Sequence, residues 1–141
     1  MKSTSQDALP PGFDRLYGLE LIELGDGVAR GRVVVRDELK QPMGLVHGGV
    51  YAAIAESLAS IGTAVAVARD NKMAMGLSNQ TSFLRPITEG TIEAVATARH
   101  QGRTTWIWEV EMSDGEGRLC VLTRMTIAVR ELGPQPATRS G

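Results

Sequence analysis

Between residues 43 and 68 the chain runs MGLVHGGVYAAIAESLASIGTAVAVA, and Glu56 is the one formally charged side chain in that run. Ala, Leu and Ile favour helix, and Gly48 and Gly49 mark a start, so the pattern predicts a helix over roughly 49–68. Apolar residues surround it on nearly every face, as in a helix buried on most sides or one that spans a membrane. Glu56 near its middle, the dominance of small side chains and the lack of a second span or a basic flank favour a core helix. Upstream, LELIEL and VARGRVVV, split by Gly25, Asp26 and Gly27, read as the two strands of a hairpin. Downstream of a loop at 69–72 the pattern turns to strands: MAMGLSNQTSFLRPI, TIEAVATARH, TTWIWEVEMSD and GRLCVLTRMTIAVRE. Glu89-Gly90, Gln101-Gly102 and Asp114-Gly115 punctuate them, each in the manner of a hairpin turn. In the last strand Leu119, Val121, Thr123, Met125, Ile127 and Val129 alternate with Arg124, Thr126 and Arg130, which gives one core face and one wetter face. The order is two strands, one long buried helix, then four strands. A single helix with a large antiparallel sheet buries itself when the sheet curls around it, so the expected class is α+β.

Length and charge narrow the picture. The 141 residues suffice for one hydrophobic core and are too few for two ordinary domains, so residues 1–141 read as a single domain. Its ends, 1–11 and 132–141, are expected to be flexible, being polar at the start and rich in Gly, Pro and small polar residues at the finish. A charged fraction of 22%, an apolar fraction of 43% and a net charge of -1 fit a soluble globular protein, neither disordered nor membrane-bound. Nucleic acid is excluded as a partner, because 15 Lys and Arg are scattered among 16 acids with no clustered basic excess. The single cysteine, Cys120, has no partner for an intramolecular disulfide, and the first ten residues contain no apolar stretch fit for a signal peptide. Both point to the cytoplasm. Cys120 lies in a strand-like run with no base beside it, so its expected role is packing.

The chemistry concentrates on the helix. A lone carboxylate in an apolar helix is costly unless it is paired, hydrogen-bonded or catalytic. Glu56 could pair with an arginine across an oligomer interface or reach solvent at a helix edge; a catalytic role is the alternative. Ser60, four residues on and on the same face, could orient the carboxylate or a water. At the other end His47, Gly48 and Gly49 form a helix N-terminus with free N–H groups and no bulky side chain, a competent site for an oxyanion. Gly48 and Glu56 lie roughly 12 Å apart along one helix, too far to act on one carbonyl. If they cooperate, the second helix comes from another subunit, antiparallel across a two-fold axis.

The stretches QPMGLVHGGVYAAIAES, SNQTSFLRPITEG and GRTTWIWEVEMSDGEGRLCVLTRMTIAVR, in that order and spacing, strongly resemble hotdog-fold thioesterases. The likeness spans about residues 16–130 and is greatest to the 4-hydroxybenzoyl-CoA thioesterases that use a helix glutamate, and more broadly to the phenylacetate-pathway type. It implies a curled sheet around one central helix, an acyl-CoA or aroyl-CoA substrate, no cofactor and no metal, and a homodimer assembling to a homotetramer. It further implies that Glu56 is nucleophile or general base, that the Gly48 N–H polarises the thioester carbonyl, that Gln41 positions thioester or water, and that Ser60 supports the carboxylate. His47 matches the residue before the oxyanion glycine, with a structural or substrate-orienting role. Arg85, Arg103 and Thr104 fall where the family binds the nucleotide end of CoA. Two departures weaken the CoA correspondence: Arg103 stands in place of a small hydroxyl residue, and Glu131-Leu132-Gly133 replaces a short basic tail. Pro42, Met43, Leu45 and Tyr51 fall near the expected acyl pocket.

Three rival readings have distinct signatures. A hotdog dehydratase or hydratase uses an Asp and His pair, and neither histidine has such a neighbour in sequence. A serine or cysteine hydrolase lacks its GxSxG elbow here. A non-catalytic acyl-CoA-binding oligomer would bind the same ligand without turning it over.

Overall fold

The computed structural model describes residues 9–133. The uncharged run forms helix α2 (Gly48–Val67), followed by a 3-10 turn at Ala68–Asp70 that ends on Asn71 in the left-handed region. Five residues earlier in chain order form a short helix, α1 (Phe13–Tyr17), stopped by Gly18 at φ 87. The strands are β1 (Glu20–Gly25), β2 (Val28–Val34), β3 (Lys72–Phe83), β4 (Thr91–Gln101), β5 (Thr105–Ser113) and β6 (Leu119–Glu131). They make one antiparallel sheet in the order β1-β2-β4-β5-β6-β3, against which α2 packs.

The expected hairpin is present. β1 and β2 pair around Asp26-Gly27, with Gly27 at φ 69, a value that favours glycine. Gln101-Gly102 and Asp114-Gly115 likewise join neighbouring strands, β4 to β5 and β5 to β6. Glu89-Gly90 does not turn a hairpin. β3 pairs with β6, so the segment after it crosses the sheet before β4 begins. That crossover is held by Leu84 N–H and Arg85 N–H donating to the Cys120 carbonyl at 2.8 and 3.0 Å, and by Val46 N–H donating to the Ile87 carbonyl at 2.9 Å. It thereby ties the end of β3 to the loop that leads into α2.

Ile54, Leu58, Ala59 and Thr63 bring one face of α2 fully into the core against Val33, Ile92, Trp108, Val110, Met125 and Ile127 of the sheet. The closest approach is at Gly62, where an added Cβ would lie 2.6 Å from Trp108 Cη2. Next to it the Trp108 indole donates to Thr63 Oγ1 at 2.9 Å, and that hydroxyl donates to the Ala59 carbonyl at 2.8 Å, so both buried polar groups are satisfied. The segment Gly48–Asp70 is long and apolar enough to cross a membrane by length and hydropathy, yet this face is the core of the sheet. The opposite face is open: Glu56 and Val65 are exposed, so burial of α2 in the protomer is one-sided.

Residues 1–8 and 134–141 of the expected flexible ends lie outside the described residues. Leu9, the first described residue, is buried. β1 and β3 are the two edges of the sheet, and Met73, Met75 and Leu77 along β3 are 37%, 49% and 58% exposed.

Candidate active site

The start of α2 is organised by His47. Its Nδ1 accepts the Gly49 N–H at 2.8 Å as the helix N-cap, which leaves Nε2 to carry the proton of a neutral ring. The Gly48 N–H makes no hydrogen bond among the described residues. Gly48 lines an open cleft of 440 Å³ together with Gln41, Tyr51, Phe83 and Arg85. A Cβ at position 48 would meet Phe83 Cζ at 2.9 Å, so a side chain there would displace the exposed Phe83 ring that lines the cleft. Gln41 sits in the turn before the helix: its Oε1 accepts the Met43 N–H, its carbonyl accepts the Gly44 N–H, and its own N–H donates to Leu45. The side-chain amide is thus oriented with its NH₂ donors still available. Burial pushes the Tyr51 hydroxyl up to about 12, against a smaller lowering by the nearby Ile87 N–H. That N–H is close enough to act electrostatically without hydrogen-bond alignment, so the hydroxyl is a buried polar atom with no hydrogen-bond partner among the described residues.

Glu56 lies two turns further along α2, in a separate pocket of 360 Å³ shared with Phe13, Ala53, Ser57, Ser60 and Ile61. It is exposed, the solvent-reaching alternative open from the sequence, because the sheet covers only the far side of the helix. No lysine or arginine among the described residues pairs with it. Room for the carboxylate comes from β3, where a Cβ on Gly76 would approach Glu56 Oε1 to 3.0 Å. Beside it, Asp14 Oδ1 accepts hydrogen bonds from Ser57 Oγ and, at 3.0 Å, from the Tyr17 hydroxyl. Burial, with smaller contributions from the Asp14 and Glu56 charges, drives that hydroxyl well above the usual phenol range, so Tyr17 acts as a neutral donor.

The structure therefore brings Gln41, Gly48 and Arg85 together in one cleft and Glu56 with Ser60 in another. His47 borders a third cavity, on the α1 side of the helix start. Arg103 and Thr104 join none of these groups. They occupy the β4–β5 turn, where the Thr104 carbonyl accepts from Val129 N–H at 2.9 Å and from Arg130 Nη1 at 2.8 Å. Arg85 follows the Phe83↔Val121 end of the β3–β6 ladder, whereas Thr105 pairs with Ala128, so the two arginines sit roughly 24 Å apart along β6 at about 3.4 Å per residue. Phe13, Asp14, Gly76 and Phe83 were not anticipated as neighbours of the site. Gly76 alone carried a local signal, since a glycine within a strand marks a close approach. Among the described residues no cluster of three His, Cys, Asp or Glu is placed to hold a metal.

Comparison with known proteins agrees with the fold. The profile described as "Thioesterase superfamily" matches residues 43–121, which run from the loop before α2 into β6. The 1,4-dihydroxy-2-naphthoyl-CoA hydrolase of Listeria monocytogenes is 33% identical over 120 residues, covering 85% of this chain and 97% of that protein. The proofreading thioesterase EntH of Cronobacter turicensis is 34% identical over 112 residues, covering 79% of this chain and 81% of its own. Among solved structures, a mutant of thioesterase PA1618 from Pseudomonas aeruginosa superposes with a TM-score of 0.81 at 32% identity, covering 84% of this chain and 86% of that one. A six-stranded antiparallel sheet packed on one long helix, a glycine-opened helix start and these relatives lead to one conclusion: the chain belongs to the thioesterase superfamily of hotdog fold and is a thioester hydrolase.

Proposed function

We propose that this enzyme hydrolyses an acyl-CoA or aroyl-CoA to the free acid and CoA, and that each active site is built by two subunits. The observation that carries the reading is the division along α2: an unpaired carboxylate, Glu56, lies roughly 12 Å from the free Gly48 N–H, beyond the reach of a single carbonyl. An antiparallel second copy of α2 sets Glu56 of the partner subunit against Gln41 and Gly48 of the first. β3 provides the means, because its unpaired edge can take up the same strand of a second chain. Such pairing also brings Arg85 of one subunit toward the opposite end of its partner, where Arg103 and Thr104 reside, so both can address the phosphates of one CoA. Two such dimers form the expected tetramer, acting in the cytoplasm.

In this site the Gly48 N–H and the helix N-terminus stabilise the oxyanion as the carbonyl becomes tetrahedral. Glu56 either attacks the carbonyl, expelling the CoA thiolate and leaving an anhydride for water to open, or takes a proton from the attacking water. Gln41 orients the thioester with its free amide donors, and Ser60 steadies the carboxylate. The relatives named above include a hydrolase whose name specifies a bicyclic aroyl-CoA, which supports an acyl group carrying a ring. A dehydratase mechanism fits less well, because His47 Nδ1 is committed to capping α2. The test is thiol release from a panel of aryl- and alkyl-CoA thioesters with and without chelator. Turnover insensitive to chelator is expected; binding without turnover across the panel points instead to a non-catalytic acyl-CoA carrier.

A further inference from the structure

Phe13 stands between two cavities on the open face of α2. One is the 360 Å³ pocket of Glu56, where Phe13 faces Ala53 and Ile61. The other is a larger groove of 620 Å³, mainly apolar, in which Phe13 is joined by Leu16, Leu39, Gly49 and Val50. Gly49, Ala53, Glu56 and Ser60 follow one another at helical spacing of four, three and four, so they share a single face of α2. Phe13 lies across that face, with Ala53 and Glu56 on one side and Gly49 and Val50 on the other.

The ring is 64% exposed yet well anchored. Tyr17 meets it edge-on, with centroids 5.1 Å apart and planes at 67°. The backbone of α1 is fixed from both directions. Asp14 binds Ser57 of α2, and Arg36 donates to the Leu16 and Tyr17 carbonyls at 2.6 and 3.3 Å. A large apolar side chain that is anchored in the open, as the shared wall of the pocket containing the Glu56 carboxylate and of an apolar groove, has the position of a length stop.

We propose that Phe13 determines the size of the acyl group: it closes the Glu56 pocket behind a short or single-ring acyl group and withholds the groove from longer chains. The inference rests on the hydrolase reading above. A chain that passes Phe13 would lie along Val50, Leu39 and Leu16, surfaces suited to methylene groups. A thioester with a compact acyl group gains nothing there, and a long one is blocked.

The test compares kcat/KM for benzoyl-, hexanoyl-, decanoyl- and tetradecanoyl-CoA in the full-length enzyme and in Phe13→Ala and Phe13→Trp. The wild type is expected to favour the compact substrates. Phe13→Ala should raise decanoyl-CoA relative to benzoyl-CoA by about tenfold or more, because a few methylenes gaining an apolar pocket change kcat/KM by that order. Phe13→Trp should move the ratio the other way, which keeps the test open if the alanine variant folds poorly. A wild type that already prefers the longest chain, or ratios unchanged in both variants of an active enzyme, overturns the role of Phe13. A folded wild type inert toward every CoA thioester overturns the hydrolase reading, and this inference with it.

Discussion

Glu56 and Gly76 form a pair in which the strand residue is small so that the helix residue can keep its carboxylate in place. Replacing Glu56 by Gln keeps the shape and removes charge and basicity. Turnover should fall on the order of a thousandfold or more, with the thermal melt unchanged or raised. Near-normal turnover in a folded Glu56→Gln enzyme would show that the carboxylate has no part in the chemistry. Gly76→Ala is a subtler probe. Its new methyl group meets the free end of a side chain at 3.0 Å, which can swing aside at little cost to the fold. The displaced carboxylate should cost about tenfold to a hundredfold in kcat, since misplacement by about 1 Å is worth that much. A Gly76→Ala enzyme with unaltered kcat would place the working position of Glu56 elsewhere. At this scale Glu56 stood out in the sequence as the single charge in a long apolar run, and the structure places it in a pocket with Ser60 and with no cationic partner among the described residues. Phe13 and Asp14 did not stand out, because their proximity to Glu56 depends on how a five-residue helix packs against a residue more than forty positions away.

α2 illustrates how two opposing effects at one position are decided by magnitude. Gly62→Ala would improve helix propensity by about 1 kcal/mol. Its Cβ, however, would lie 2.6 Å from Trp108 Cη2 and 2.9 Å from Cζ2, and that ring is fully buried and pinned through its indole N–H to Thr63. Overpacking against a ring that cannot yield costs about 1–3 kcal/mol, so a net loss of stability is expected. Urea unfolding followed by Trp fluorescence should show a lower midpoint with little change in slope; a higher midpoint would mean that the helix and sheet can separate to admit the methyl group. The helix itself was readable from composition and from its glycine start. The strands were readable from alternation and turn residues. Which strands pair was only partly so: Glu89-Gly90 has the chemistry of a turn whether the chain doubles back or crosses the sheet, and the choice is made by the long-range match of β3 to β6. α1 spans little more than one turn, too short for any periodicity to register.

At the scale of the whole molecule, the shared site proposed above sets a requirement that no single chain meets. With Gln41 acting beside Gly48 of one subunit and Glu56 arriving from the other, Gln41→Ala and Glu56→Ala homodimers are impaired at every site. A mixed dimer has one site with both defects and one with neither. Unfolding and refolding the two variants together should restore roughly a quarter of wild-type activity, since random pairing yields about half mixed dimers with one intact site in two. If mass measurement confirms the exchange and activity stays at the average of the parents, the shared site is wrong. The proposal of a shared site rests on helical rise, which the sequence already supplies, whereas the separation of Arg85 from Arg103 required knowledge of strand order. The free edge of β3 carries a further consequence. A lone protomer exposes, along the twelve residues of β3, the backbone groups that point away from β6, flanked by Met73, Met75 and Leu77, a template onto which an extended chain can add. Substitutions that weaken self-association should therefore appear first as turbidity and loss from the soluble fraction and only later as inactive monomer, so that selection for a working site and selection against aggregation act on the same strand.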